Sequence, residues 1–182
     1  RQAVKGDQTA SDWDAAAYQE ILTSFVGSNP ETFGGGIWFE PYQYRPEQRY
    51  FSPYCMRQNG AVTYVDNYSL GEGVYYTDQD WYTNAANTTQ KSVWSAPYYD
   101  EFAQISMVTS SAPIYDETGR FLGVATADID LTQMQQMVLS LDVVANGRAF
   151  LIDDTGVYIA DEDSEKLLSA NILEDDNPSF AA

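Results

Sequence analysis

Between Val74 and Asp100 the chain reads VYYTDQDWYTNAANTTQKSVWSAPYYD, and there the residues able to recognise a ligand crowd together. Tyr75, Tyr76, Trp81, Tyr82, Trp94, Tyr98 and Tyr99 lie among Asp78, Gln79, Asp80 and Asp100. Aromatic rings give large, stiff contact surfaces, and the carboxylates and phenols between them can fix a polar or cationic small molecule. The same residue types also fill β-rich cores, so composition alone leaves core and binding site as alternatives.

The residues that are missing narrow the chemistry. There is no histidine, and Cys55 is the single cysteine. That removes an intramolecular disulfide, Cys/His zinc sites and every triad that uses His as its base. No catalytic residue, metal ligand or cofactor is assigned, and the chain is read as a non-enzyme. Asp78 and Asp80 could serve as the acid pair of a carbohydrate-binding or glycoside-active domain, an alternative from another class. They stand two apart in a loop with no evident partner across a cleft. Acidic turns at Asp153-Asp154 and Asp161 to Asp163 lack the spacing of a twelve-residue calcium loop and read as solvated.

Nine Lys and Arg face 27 Asp and Glu, a formal charge of −18, which repels nucleic acid and anionic membrane surfaces and steers cations inward. With 44% hydrophobic and 14% aromatic residues, 182 residues can bury a core without staples. No apolar run of about 18 residues occurs and the start lacks a signal-peptide pattern, so the piece is expected to be soluble as given. The beginning at Arg1 and the ending Phe180-Ala181-Ala182 read as an excised part of something longer.

The elements that must hold these residues follow from periodicity. Residues 1–10 are polar and expected to fray. Ser11 with Asp14 predicts a helix cap, followed by a wide apolar stripe of Trp13, Ala17, Ile21 and Phe25 with Tyr18, Leu22 and Val26. Gly27, Asn29 and Pro30 end that helix. Gly34 to Gly36 read as a turn ahead of a strand at Ile37 to Phe39. A hairpin from Arg49 to Val65 turns at Asn59-Gly60, which decides which of Tyr50, Tyr54 and Tyr64 face the core. Asp80 to Tyr82 open a short helix capped by Asp78 or Asp80, then a polar connector runs from Asn84 to Lys91. Strands follow at Ser92 to Pro97, Ile105 to Ile114 and Phe121 to Ile129, the last two antiparallel across Asp116 to Gly119.

Asp130 with Gln133 caps a helix carrying Leu131, Met134, Val138 and Leu141, expected to cover the sheet. Arg148 to Asp153 and Val157 to Ala160 make a second hairpin, with the start of a helix at Glu165 to Leu168 and an acidic loop from Glu174 to Pro178. The order predicts an α+β fold with an antiparallel sheet flanked by helices.

This chain resembles the double Cache (double PDC) extracytoplasmic sensor domains of bacterial and archaeal receptors. The residues that carry the resemblance are the glycine-rich entry into Trp38-Phe39, Phe51 to Tyr54, Asp80-Trp81-Tyr82, Ala96-Pro97-Tyr98, Ser111 to Leu131 and the restart at Gly147. The resemblance implies a PAS-like fold with a helical region at 1–32, a complete membrane-distal ligand-binding subdomain at 33–141 and the beginning of a membrane-proximal one at 142–182. It further implies a membrane-anchored receptor, a small-molecule ligand, dimerisation of the parent receptor, and a role in chemotaxis or related signal transduction.

Within that family an amino-acid-sensing pattern matches Trp81, Tyr82, Tyr98 and Asp128. Gln79 stands where the family's pattern has an Arg for the ligand carboxylate. Val74 stands at the first Tyr, unless Tyr75 fills that place. Ligand contacts are therefore expected from Gln79, Trp81, Tyr82, Tyr98 and Asp128, with Tyr75 and Asp100 beside them. A neutral Gln79 cannot clamp a carboxylate as a guanidinium does, so an amine or amino-acid-like cation facing Asp128 is the expected ligand. A nucleobase and a small carboxylate are the alternatives, and a structural cap is the competing role for Asp128.

Overall fold

The computed structural model describes residues 14–65, 75–143 and 147–174. In chain order the elements are α1 (Ala15–Ser28), β1 (Gly34–Phe39), β2 (Tyr54–Gln58), β3 (Ala61–Val65), α2 (Asp80–Ala86), β4 (Val93–Trp94), β5 (Tyr98–Asp100), β6 (Ile105–Tyr115), β7 (Phe121–Asp130), α3 (Leu131–Leu139), β8 (Leu151–Ile152) and β9 (Tyr158–Ala160). Two compact units divide the chain, residues 1–95 with 109–128 and residues 96–108 with 129–182.

In the first unit the strands run in the order β3-β2-β1-β7-β6-β4. Helix α1 starts one turn later than Ser11 implied: the Asp14 carboxylate accepts the Ala17 amide at 2.9 Å and is the cap. Ser11 and Trp13 lie outside the described residues. The buried stripe is narrower than expected and consists of Tyr18, Leu22 and Val26, with Ile21 and Phe25 exposed. Leu22 and Val26 meet Cys55 on the sheet. Tyr18 sits among Phe39, Tyr44 and Phe51, with ring centroids 5.6 to 6.1 Å away. Edge contacts of this kind add about 0.5–1.5 kcal/mol each beyond area burial.

No basic residue lies in the last turn of α1, and its orphan carbonyls are met from the sheet instead. Arg57 on β2 donates from Nη2 to the carbonyls of Val26 at 2.6 Å and Asn29 at 3.1 Å, and from Nε to that of Thr32 at 3.0 Å.

The three glycines do not form a turn. Gly34, Gly35 and Gly36 are the first half of β1, paired with Met56, Cys55 and Tyr54 on one side and with Asp128, Ala127 and Thr126 on the other. Tertiary pairing overrides their poor strand propensity, because Tyr54 of β2 occupies the space over Gly34, Phe25 of α1 that over Gly35, and the Trp38 ring, two residues further along β1, that over Gly36. The hairpin of β2 and β3 turns where expected, with Asn59 and Gly60 both at positive φ. Burial pushes the Cys55 thiol pKa up, against a hydrogen bond with Thr23, so this cysteine is a core residue and not a reactive one.

Neither Asp78 nor Asp80 caps α2. Gln79 holds the cap position without a side-chain hydrogen bond, and Asp78 closes a single 3-10 turn at Tyr76–Asp78. Between β6 and β7, Asp116 Oδ1 accepts from the Thr118 amide and hydroxyl and from the Arg120 amide, locking the turn.

In the second unit β5 pairs with the start of β6, Tyr98 opposite Met107 and Asp100 opposite Ile105. Asp130 caps α3 by accepting the Thr132 amide at 2.8 Å. Leu131 and Val138 are buried, whereas Leu141 lies beyond the helix and is exposed. Helix α3 packs on β9, whose Tyr158 and Ala160 are buried, and β9 pairs antiparallel with β8. Arg148 reaches the buried Asp161 carboxylate at 3.0 Å. Glu165 belongs to a 3-10 turn rather than an α-helix, and Asp175 to Pro178 lie outside the described residues.

Candidate ligand-binding site

Successive side chains on a strand point to opposite faces, so the register sorts the first unit's sheet into two sides. Cys55, Ile37, Val62 and Tyr64 share the side under α1. Tyr54 and Met56 on β2, Gly34, Gly36 and Trp38 on β1, and Thr126 and Asp128 on β7 share the other.

On that second side two glycines let two side chains lie across β1. Tyr54 passes over Gly34, where a Cβ would sit 2.2 Å from its hydroxyl oxygen, and donates to Asp128 Oδ2 at 2.8 Å. The Trp38 indole lies over Gly36, where a Cβ would sit 2.8 Å from Nε1, and donates to Thr126 Oγ1 at 2.8 Å. Thr109 on β6 completes the row by donating to Asp128 Oδ1 at 2.8 Å. Asp128 is only 4% exposed and its carboxylate is not a helix cap, since Asp130 takes that role.

Trp38 is also the centre of an aromatic cluster. Its ring centroid lies 4.8 Å from Trp81, 5.5 Å from Tyr76 and 5.6 Å from Tyr54. Two phenols pin the segment that carries Trp81 to the end of β1: Tyr76 donates to the Phe39 carbonyl, and Tyr82 donates to Glu40 Oε2 at 2.7 Å. Burial, reinforced by the Glu40 carboxylate, drives the Tyr82 pKa far above that of a free phenol, so Tyr82 remains a donor throughout the physiological range. Gln79 is half-buried at the head of α2, its carbonyl accepting the Tyr82 and Thr83 amides. Tyr75 is 39% exposed, with its ring 5.6 Å from Tyr50.

The family model described as methyl-accepting chemotaxis protein-like, first PDC sensor domain, matches residues 18–136. The chain belongs to this family. It is 38% identical over 84 residues to the methyl-accepting chemotaxis protein McpC of Bacillus subtilis, covering 46% of the chain and 13% of that receptor. The extracellular domain assigned to the histidine kinase mmHK1S-Z3 superposes with a TM-score of 0.79 at 21% identity, over 96% of the chain and 65% of that domain. The ligand-binding domain of the Pseudomonas aeruginosa amino acid chemoreceptor PctC, in complex with GABA, has a TM-score of 0.59 at 20% identity, over 94% of the chain and 65% of that domain. The mostly antiparallel sheet with its helices is thus the PAS-like PDC fold, as the sequence resemblance implied.

In this PDC sensor domain the structure brings Trp81 and Tyr82 together on one helix and sets Asp128 on β7 opposite Gly34. Tyr98 and Asp100 fall in the second unit, where Asp100 Oδ1 accepts the Ala103 amide at 2.6 Å. Val74 lies outside the described residues. Tyr54, Trp38, Thr109 and Thr126 are not among the ligand contacts expected from the sequence, although the Asn59-Gly60 turn already places Tyr54 and Met56 on one face. Among the described residues no cluster of His, Cys, Asp and Glu is arranged to hold a metal ion, and no helix is long and apolar enough to cross a membrane.

Proposed function

We propose that this PDC domain is the extracytoplasmic ligand-binding part of a membrane-anchored receptor and that it recognises a small polar metabolite through a cationic nitrogen held at Asp128. The observation that carries this reading is the Asp128 carboxylate, 4% exposed, accepting from the hydroxyls of Tyr54 and Thr109, with the Tyr54 ring 5.6 Å from that of Trp38. A cation brought to a carboxylate within aromatic walls gains far more than at a wet surface, from both the charge pair and the ring faces. The net charge of −18 favours cations at long range as well. GABA, bound by the structural neighbour PctC, carries an ammonium group.

Trp81 and Tyr82 supply the wall and its anchor, and Gln79 and Tyr75 the rim. Residues 33–141 form the membrane-distal subdomain and 142–182 open the membrane-proximal one, behind a helical region at 1–32. The family match, to a first PDC sensor domain, ends at residue 136, which supports a distal subdomain closing near there. The domain acts by binding and not by catalysis, and its parent receptor signals as a dimer by favouring one of two states according to the differential affinity of the ligand.

A thermal-shift panel of amines, amino acids, short carboxylates and nucleobases tests the reading on the wild type and Asp128→Ala. A ligand at about 100 times its Kd adds roughly 2.7 kcal/mol of stability. Shifts by amines that vanish in the variant support it. Shifts by a carboxylate or a nucleobase that are equal in both proteins contradict it.

A further inference from the structure

Two hydroxyls beside Asp128 have hydrogen bonds left to give. β6 and β7 are sheet neighbours joined through a tight turn in which the Asp116 amide donates to the Arg120 carbonyl at 2.9 Å, so they run antiparallel. Thr109 of β6 meets Asp128 of β7 at 2.8 Å. Two residues further along β6 and two residues back along β7 therefore bring Ser111 beside Thr126 on the same face.

Ser111 is 0% exposed, and its Oγ has no hydrogen-bond partner among the described residues. Thr126 is 6% exposed, and its Oγ1 accepts from Trp38 Nε1. A hydroxyl that accepts still carries its own proton, and no acceptor for that proton is found among the described residues. Buried hydroxyls are nearly always partnered in folded proteins, so an orphan next to a candidate site calls for a ligand atom.

We infer that Ser111 and Thr126 form a donor subsite for a neutral acceptor, a carbonyl or hydroxyl oxygen, on the same ligand whose cationic nitrogen meets Asp128. This inference rests on the amine reading of Asp128. The two subsites lie two strand residues apart, roughly 7 Å. The acceptor is neutral because two uncharged hydroxyls do not offset a second carboxylate buried so close to Asp128. The ligand class is thus a primary amine bearing an amide, ketone or alcohol a few bonds away.

The test is calorimetric titration of γ-aminobutyramide and of n-butylamine, a matched pair with and without the acceptor, into the whole chain. The wild type is expected to prefer the amide by about tenfold, one good hydrogen bond's worth. Ser111→Ala should erase that preference with n-butylamine binding unchanged, and Thr126→Ser, which keeps the hydroxyl that accepts from Trp38 Nε1, should keep it. Ser111→Ala should not lower the Tm of the ligand-free protein, because it removes a hydroxyl with no partner to lose. Equal binding of both probes by the wild type would overturn the inference, as would a Ser111→Ala protein that melts earlier yet keeps the preference. Asp128→Asn separates the two readings. If it leaves both affinities intact while Ser111→Ala erases the preference, the amine assignment fails and the hydroxyl subsite stands.

Discussion

Tyr54 reaches Asp128 by crossing a strand that lies between them. Its hydroxyl passes above Gly34 and donates to Oδ2 at 2.8 Å, and a methyl group on Gly34 would stand 2.2 Å from that oxygen. Gly34→Ala is therefore expected to cost about 1–3 kcal/mol, the usual penalty for overpacking, read as a lower urea midpoint. In a Tyr54→Phe background the same change should cost less, since the clashing oxygen is gone. Additive costs would show that the crossing does not govern the site.

Tyr54→Phe by itself withdraws one donor from a buried carboxylate. A hydrogen bond to a charged group is worth about 1.5–3 kcal/mol, and urea unfolding should register a loss in that range. A variant as stable as the wild type would mean that the Asp128 carboxylate does not depend on the phenol.

Arg57 ties the end of α1 to β2 through the carbonyls of Val26, Asn29 and Thr32. Replacing it with alanine should destabilise the domain by about 2 kcal/mol, and lysine should restore little, because an ammonium cannot reproduce the planar arrangement of guanidinium donors. Full recovery with Arg57→Lys would show that charge alone, and not the directed donors, caps the helix.

The hydroxyl of Thr118, with the Arg120 and Thr118 amides, holds Asp116 down to a pKa of about 2. A carboxylate whose pKa is depressed on folding stabilises the fold above its unfolded pKa and loses that contribution as pH falls through the folded value. Asp116→Asn should therefore be less stable than the wild type at neutral pH, with the difference closing between about pH 4 and pH 2. A difference independent of pH across that window would contradict the assignment of the shift to this turn.

Much of this fold could be read from periodicity and turn chemistry. The Asn59-Gly60 hairpin, the β6 and β7 pair around Asp116, the Asp130 cap and the second hairpin all rest on short-range signals, and the structure carries each of them. The glycines of β1 could not be read the same way. Locally, Gly34-Gly35-Gly36 signals a turn, and only the rings of Tyr54 from β2 and Phe25 from α1, with Trp38 folding back along β1, explain why no side chain is wanted there.

The first helix shows a similar limit. Its apolar residues cover nearly every direction, so spacing alone did not choose Tyr18, Leu22 and Val26 over Ile21 and Phe25. Trp81 and Tyr82, rare residues in a short segment, stand out in the sequence, and the structure packs Trp81 against Trp38 and ties Tyr82 to Glu40. Thr109, Ser111 and Thr126 are ordinary strand residues until pairing sets them beside Asp128, and a hydroxyl in a strand gives no signal of its own.

The most direct test of a cation held at Asp128 is calorimetric titration of n-butylamine into the wild type and the isosteric Asp128→Asn variant, both checked for equal folding by far-UV circular dichroism. Binding to the wild type that falls at least about tenfold in the variant, a loss of roughly 1.4 kcal/mol, is the expected result. Equal affinity in two folded proteins would show that the nitrogen is held elsewhere.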